Sequence, residues 1–241
     1  MFAHSGSRPT NLIEEAIPLD VVDLAIRESV EKQGDRHVVC IILDPFFERI
    51  AFVYNLSYPA GKMESWGLIG GRSESIGDFN AFVRDKIDPS IRKDYIAAFS
   101  GSSNKHVEPP EATAIREAFE EGRLRIRILR RIHEGVLVKR PPQEHYGRVV
   151  FLCVAVNRGI ENTRALSEPD GTGTCFPQTR EFRWFPLNQL PDPKTLGENV
   201  YFTHLNTPND FRVKHAIEEA LRDFGELLAD LRYVWKNYPA A

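Results

Sequence analysis

Runs of β-branched and aromatic residues predict most of the strands. The stretches HVVCIIL and RIAFVYNL, residues 37–43 and 49–56, flank the turn residues Asp44 and Pro45 and predict an antiparallel pair. Residues 66–71, WGLIGG, predict a short strand that runs into a glycine turn. Two longer strands and a closing strand with a turn are predicted by RLRIRILRRIHEGVLVKR, YGRVVFLCVAV and EFRWFPLNQL.

Three segments carry apolar residues at helical spacing. Residues 19–32 predict a short N-terminal helix, and residues 211–235 predict one amphipathic C-terminal helix. Residues 109–122 predict a third helix, because two prolines suit its first turn and Gly122 can supply a left-handed stop.

Residues 72–107 interrupt this order of elements. They are polar and uneven, so we interpret them as an insertion, in which DFNAFVRDKI and SIRKDYIAAF each predict a turn or two of helix. Helical and strand patterns are otherwise interleaved without an internal repeat. The sequence therefore predicts an α+β fold in a single domain that spans residues 1–241.

The composition of the chain limits the classes of molecule that it is expected to bind. The chain has 241 residues, is 42% hydrophobic and carries a net charge of -3, which gives no overall field for nucleic acid or an anionic membrane. Its three cysteines are widely spaced and suggest neither a disulfide framework nor a zinc knuckle. No signal peptide and no long apolar stretch is evident, so we expect a soluble, cytoplasmic protein with no membrane partner.

The helix predicted at 109–122 is the strongest candidate for chemistry. At about 100° per residue, Glu117, Glu120 and Glu121 fall within roughly a 100° arc of one face. A solvated surface is the ordinary explanation for such a face, because exposed charge pairs are common. Three carboxylates this close repel one another, however, and the arrangement becomes favourable mainly when a cation neutralises them.

The order of these residues resembles a known motif. REAFEE, with a glutamate eight positions before its arginine, is similar to the second half of the Nudix box, G-x5-E-x7-R-E-U-x-E-E-x-G-U, in which U is a bulky apolar residue. The matching positions are Glu108, Arg116, Glu117, Glu120, Glu121 and Leu124.

The first half of the box is displaced. WGLIGGR, residues 66–72, resembles the strand and double glycine that precede the motif, with Gly71 as the box glycine. The family places five residues between this glycine and the first glutamate, whereas residues 72–107 supply 36 here, an insertion of 31.

The chain departs from the motif at two further places. Ala118 stands where a bulkier apolar residue is usual, and Arg123 stands at the usual glycine, with Gly122 one place early. Glu111 competes with Glu108 for the upstream glutamate, but only Glu108 keeps the spacing to Arg116.

The resemblance implies a Nudix-like α/β/α sandwich with a mixed central sheet, plus N-terminal and C-terminal helices. It implies Mg²⁺ or Mn²⁺ bound by Glu117, Glu120 and Glu121, with Glu108 and Arg116 orienting these ligands. Glu120, Glu121 and Arg116 are then the catalytic candidates. The resemblance leaves the general base open: Glu120 or Glu121 first, Glu144 or Glu168 as alternatives. Phosphate contacts are expected from Gly70, Gly71 and Arg72.

The implied activity is metal-dependent hydrolysis of a diphosphate bond in a nucleoside diphosphate linked to another group. ADP-ribose, a nucleotide sugar, coenzyme A and a dinucleotide are all candidate substrates. One alternative is a catalytically silent Nudix fold that serves as a nucleotide sensor or interaction module. Another is an isomerase of the isopentenyl diphosphate type, for which we find no convincing cysteine and base pair. Packing of the C-terminal helix on a second copy would give a homodimer.

Overall fold

One mixed sheet organises the computed structural model of the chain. The structure describes residues 17–18, 36–55, 65–100, 102, 105–138, 145–160, 179–190 and 211–237. Its eight strands are β1 (Ile17–Pro18), β2 (Arg36–Leu43), β3 (Arg49–Asn55), β4 (Ser65–Gly67), β5 (Ile69–Arg72), β6 (Ile126–Val138), β7 (His145–Ala155) and β8 (Thr179–Pro186).

The centre of the sheet is a parallel pair, β2 beside β7. The strand order is β1-β6-β7-β2-β3-β4, while β5 pairs with β2 and β8 pairs with β3. The predicted pairing of β2 with β3 and the predicted long strands β6 and β7 are confirmed, and both pairs are antiparallel. Parallel strands are usually covered on both faces, which explains why the apolar runs of β2 and β7 are nearly continuous.

The glycine turn predicted after residue 66 is wrong. Gly70 and Gly71 lie within β5 and pair with Val39 and Val38 of β2. A Cβ atom on Gly70 would lie 2.2 Å from the Val38 carbonyl oxygen, so the residue is needed for close approach of two strands. Glycine in a sequence signals a turn by default, and only the packing reveals this other role.

Five helices are present in the described ranges: α1 (Phe79–Lys86), α2 (Arg92–Ala98), α3 (Pro110–Gly122), α4 (Phe211–Asp223) and α5 (Gly225–Asn237). The predicted acidic helix is confirmed as α3, whereas the helix predicted at 19–32 lies outside the described residues. The C-terminal helix predicted at 211–235 is confirmed as helical structure, but it divides at Phe224 into α4 and α5. Apolar spacing continues through the break, so periodicity alone does not reveal it.

The predicted left-handed stop at Gly122 is also wrong. Gly122 is the last residue of α3, and Arg123 takes the left-handed conformation instead, with φ of 53°. A Cβ on Gly122 would lie 3.1 Å from Leu124 and 3.3 Å from Phe182, so the glycine serves close packing. The left-handed residue thus stands at the position where the Nudix box usually has glycine.

Helices cover both faces of the sheet and give the α/β/α arrangement. Alternate residues of β2 point to opposite sides: Val38, Cys40 and Ile42 join the core beneath α3, whereas Val39, Ile41 and Leu43 join the core beneath α4 and α5. No helix among the described residues is long and apolar enough to cross a membrane.

The segment predicted as an insertion contributes to the core beneath α3. Its helices α1 and α2 confirm the two short helices expected there. The buried apolar side chains that it supplies are Ile76, Val83, Ile87, Ile91, Tyr95 and Phe99. Its ends meet at a bridge between Ser75 and Val107, which brings the start of α3 back beside β5.

Alanine substitutions at two glycines test this description of the backbone. Gly225→Ala should raise the free energy of unfolding by roughly 0.5–1 kcal/mol, because the site is open among the described residues and alanine favours helix. Gly159→Ala should lower it by more than about 1 kcal/mol, because φ is +67° and the added Cβ would lie 2.5 Å from the Gly122 oxygen. Urea unfolding measures both changes, and the same sign for the two variants would contradict the description.

Candidate functional site

The Arg116 guanidinium is the centre of the candidate site. Its Nε and Nη2 atoms donate to the two oxygens of Glu108, each at 2.9 Å. Nη1 donates to Glu117 at 2.8 Å and to Glu120 at 2.9 Å, and Nη2 also donates to the Arg72 carbonyl at 2.9 Å. The group has five N–H bonds, so this set of partners engages all of them. The arginine therefore joins the start of α3, its acidic face and the end of β5.

Glu108 is fully enclosed by hydrogen-bond donors. Besides Arg116, its Oε2 accepts from the Thr113 hydroxyl and the Glu74 backbone N–H, both at 3.0 Å. None of its side-chain surface is exposed. Glu111, the rival upstream glutamate, instead pairs with the partly exposed Arg131 at 2.6 Å. The buried partner of Arg116 is thus Glu108.

The acidic face of α3 packs directly on β5. A Cβ on Gly71 would lie 2.1 Å from Glu117 Oε1, so only glycine leaves room for this carboxylate. The Gly70 backbone N–H donates to Glu121 Oε2 at 3.1 Å. The two halves of the split motif are therefore in contact, although 36 residues separate Gly71 from Glu108.

Burial disfavours ionisation of all three glutamates on this face. It raises the pKa of Glu117 and raises that of Glu120 to about 7, in both cases against the opposing effect of Arg116. Burial, followed by the charge of Glu117, raises the pKa of Glu121 well above its usual value. Burial also opposes the charge of Arg116, but Glu117 and Glu108 outweigh it and raise the arginine pKa. Arg116 is thus paired with three carboxylates, and Glu121 adds a fourth carboxylate to this face.

The carboxylate oxygens of the acidic face are suitable ligands for a hard divalent cation, but their present positions do not form a coordination site. Carboxylate oxygens suit Mg²⁺ and Mn²⁺, and the excess of buried negative charge favours a cation. In the described ranges, however, no three histidine, cysteine, aspartate or glutamate side chains are grouped so that they could hold a metal ion. Glu117 and Glu120 are turned towards Arg116, so their carboxylates would have to move to share an ion.

The structure places the other predicted site residues as follows. Arg72 is exposed and reaches the site through its carbonyl oxygen, which accepts from Arg116. Phosphate binding by Gly70, Gly71 and Arg72 stays a prediction. Glu144 and Glu168, the alternative bases, lie outside the described residues.

Two residues near Glu108 were not predicted from the sequence. Thr113 donates to Glu108 and shares a 3.0 Å hydroxyl contact with Ser73, which follows β5. Tyr95 of α2 is fully buried, and burial, then the charge of Glu108, raises the pKa of its hydroxyl. Thr113 stands five residues after Glu108 and could have been noticed, but nothing in the sequence indicates that the insertion reaches this carboxylate.

The family comparison agrees with the site. Residues 101–205 match the family model described as the NUDIX domain, a range that contains α3 and the acidic face. This part of the chain, less than half of its length, is therefore similar to a NUDIX domain. No curated protein matches the sequence significantly.

Solved structures with some likeness to the chain include three hydrolases. A MutT NUDIX hydrolase from Burkholderia pseudomallei is 19% identical, with coverage of 66% of this chain and 88% of that one and a TM-score of 0.37. A NUDIX hydrolase from Nitrosomonas europaea is 12% identical, with coverage of 67% and 82% and a TM-score of 0.37. An ADP-ribose pyrophosphatase from Streptococcus suis 89-1591 is 14% identical, with coverage of 78% and 92% and a TM-score of 0.37. Likeness at these scores does not define the substrate.

Glu108 and Glu111 form a matched pair for testing the buried network. Glu108→Gln should lower the free energy of unfolding by about 3 kcal/mol, because it leaves the buried Arg116 without its charged partner. Glu111→Gln should cost less than about 1 kcal/mol, because its ion pair is partly exposed. Urea unfolding gives both values. Equal losses in the two variants would show that Glu108 is not the partner on which the network depends.

Proposed function

We propose that the protein hydrolyses a diphosphate bond in a nucleoside diphosphate linked to another group, with Mg²⁺ or Mn²⁺ bound at the acidic face of α3. The observation that carries this proposal is the contact between the two halves of the split motif, where Glu117 and Glu121 meet Gly71 and Gly70 of β5. A merely solvated helix face would not be buried against a glycine strand. The resemblance of the motif and the family match support the same class of reaction.

Glu117, Glu120 and Glu121 would hold the cation, which when bound would neutralise charge on the diphosphate and lower the pKa of a water molecule. Arg116 has a different task. It binds Glu117 and Glu120 through one nitrogen while Glu108 fixes the opposite edge of its guanidinium. The arginine therefore limits the positions that these two carboxylates can take.

Glu120 is the favoured candidate for accepting a proton. Of Glu117 and Glu120, which share Arg116 Nη1, it has the more exposed side chain, at 39% against 13%, so water can reach it. Glu121 is the alternative, and its contact with the Gly70 N–H places it against the glycine strand.

Activity on a panel of linked nucleoside diphosphates tests this function. Purified protein with Mg²⁺ or Mn²⁺ should release phosphate-bearing products from ADP-ribose, a nucleotide sugar, coenzyme A or a dinucleotide, as measured by ion-exchange chromatography. Glu120→Gln should reduce the rate to below about one hundredth, because the variant lacks both a metal ligand and the candidate base.

Glu226→Gln is the matched control, because this exposed glutamate lies on α5, outside the acidic face, and should leave the rate unchanged. Wild-type protein that is inert across the panel yet binds one of these nucleotides would contradict hydrolysis and favour the sensor alternative. Full activity of Glu120→Gln would contradict the assignment of the site.

A further inference from the structure

A cavity lies apart from the acidic face. It has a volume of about 720 Å³ and lies between the turn joining β2 to β3, the segment after β7, strand β8 and the end of α5. We name it the turn cavity, and its lining residues are Asp44, Phe46, Glu48, Arg49, Arg158, Gly159, Trp184, Trp235 and Lys236. None of the candidate site residues on α3 or β5 belongs to this lining. Its volume is in the range of small-molecule sites.

Three cationic side chains line the turn cavity in the described ranges: Arg49, Arg158 and Lys236. Of these, Arg49 acts electrostatically on Asp44. Arg49 is exposed, and Lys236 lies over the Phe46 ring, with 5.4 Å between its Nζ and the ring centroid. The Arg158 Nε atom is buried and has no hydrogen-bond partner in this part of the structure. A buried donor without an acceptor costs free energy, so an acceptor supplied by a ligand would be favoured there.

Carboxylates in the lining do not cancel these cations. Asp44 Oδ1 is engaged by the backbone N–H groups of Glu48 at 2.8 Å and Arg49 at 3.3 Å, which close the turn. Glu48 is exposed. Among the described lining residues, three cations therefore exceed two carboxylates, and the cavity is suited to an anion.

The aromatic part of the wall is held in a fixed arrangement. The Trp184 indole N–H donates to the Arg158 carbonyl at 2.8 Å, and an Arg158 Nη2 donates to the Trp235 carbonyl at 2.7 Å. The two indole rings meet edge to face, with their centroids 5.7 Å apart. Rigid aromatic walls of this kind favour a planar ring in the ligand.

We propose that the turn cavity binds a nucleoside monophosphate, with its base against the tryptophan wall and its phosphate at Arg49 and Arg158. A phosphate monoester carries up to two negative charges near neutral pH, so it suits three cations better than a single carboxylate does. This inference does not depend on hydrolysis at the acidic face. Gly159 at the edge of the cavity does adjoin α3, since the Gly122 carbonyl accepts from the Ile160 N–H at 3.2 Å.

Calorimetric titration with adenosine monophosphate in metal-free buffer tests the proposal. Chelation of divalent cations prevents them from attracting phosphate to the acidic face. Wild-type protein should bind adenosine monophosphate, and Arg49→Ala and Arg158→Ala should each weaken binding by about 10-fold or more, because each removes a charged phosphate contact. Adenosine and inorganic phosphate should each bind at least about 10-fold more weakly than the nucleotide.

Two variants serve as controls. Arg125→Ala removes an exposed arginine outside the cavity, and Glu120→Gln alters the acidic face, so neither should change the affinity. Absence of nucleotide binding by wild type, equal affinity of Arg49→Ala and wild type, or loss of binding in Glu120→Gln would overturn the proposal. So would binding of phosphate alone as tight as that of the nucleotide. If Arg158→Ala fails to fold, Arg49→Ala decides, because the Arg49 side chain is exposed.

Discussion

The buried Arg116 guanidinium is the interaction on which the candidate site depends. It binds Glu108 with two nitrogens, shares a third between Glu117 and Glu120, and reaches back to the Arg72 carbonyl. A buried charge is tolerated only when it is paired and hydrogen-bonded, so these partners must occupy fixed places. The constraint explains why the end of β5, the segment just before α3 and the acidic face of α3 come together despite the intervening segment.

That intervening segment is accommodated by folding as part of the core. Its side chains pack beneath α3, and its two ends meet at Ser75 and Val107, so β5 and the start of α3 lie side by side. The segment also brings Tyr95 beside the Glu108 that anchors Arg116. Changes within α2 can therefore affect the arginine network without any contact with a substrate.

Long apolar runs and strong helical periodicity allowed β2, β3, β6, β7, β8 and α3 to be predicted, because burial requires those patterns locally. Features set by tertiary packing could not be predicted in the same way. Gly70 and Gly71 are glycines within a strand because neighbouring atoms leave no room for a Cβ. Gly122 is likewise closely packed, and the left-handed conformation is found at Arg123 instead. The residues of the acidic face could be predicted because their order matches a motif, but the turning of Glu117 and Glu120 towards Arg116 could not.

We propose that β5 and α3 together form one cation site, and Mn²⁺ titration followed by electron paramagnetic resonance tests this most directly. Wild-type protein should bind Mn²⁺, and Gly71→Ala should weaken binding by about 10-fold or more, because the new methyl group would displace Glu117. Gly77→Ala is the matched control, since an added Cβ there meets no described atom within 4 Å. Wild-type protein that does not bind Mn²⁺, or equal affinity of wild type and Gly71→Ala, would contradict the account.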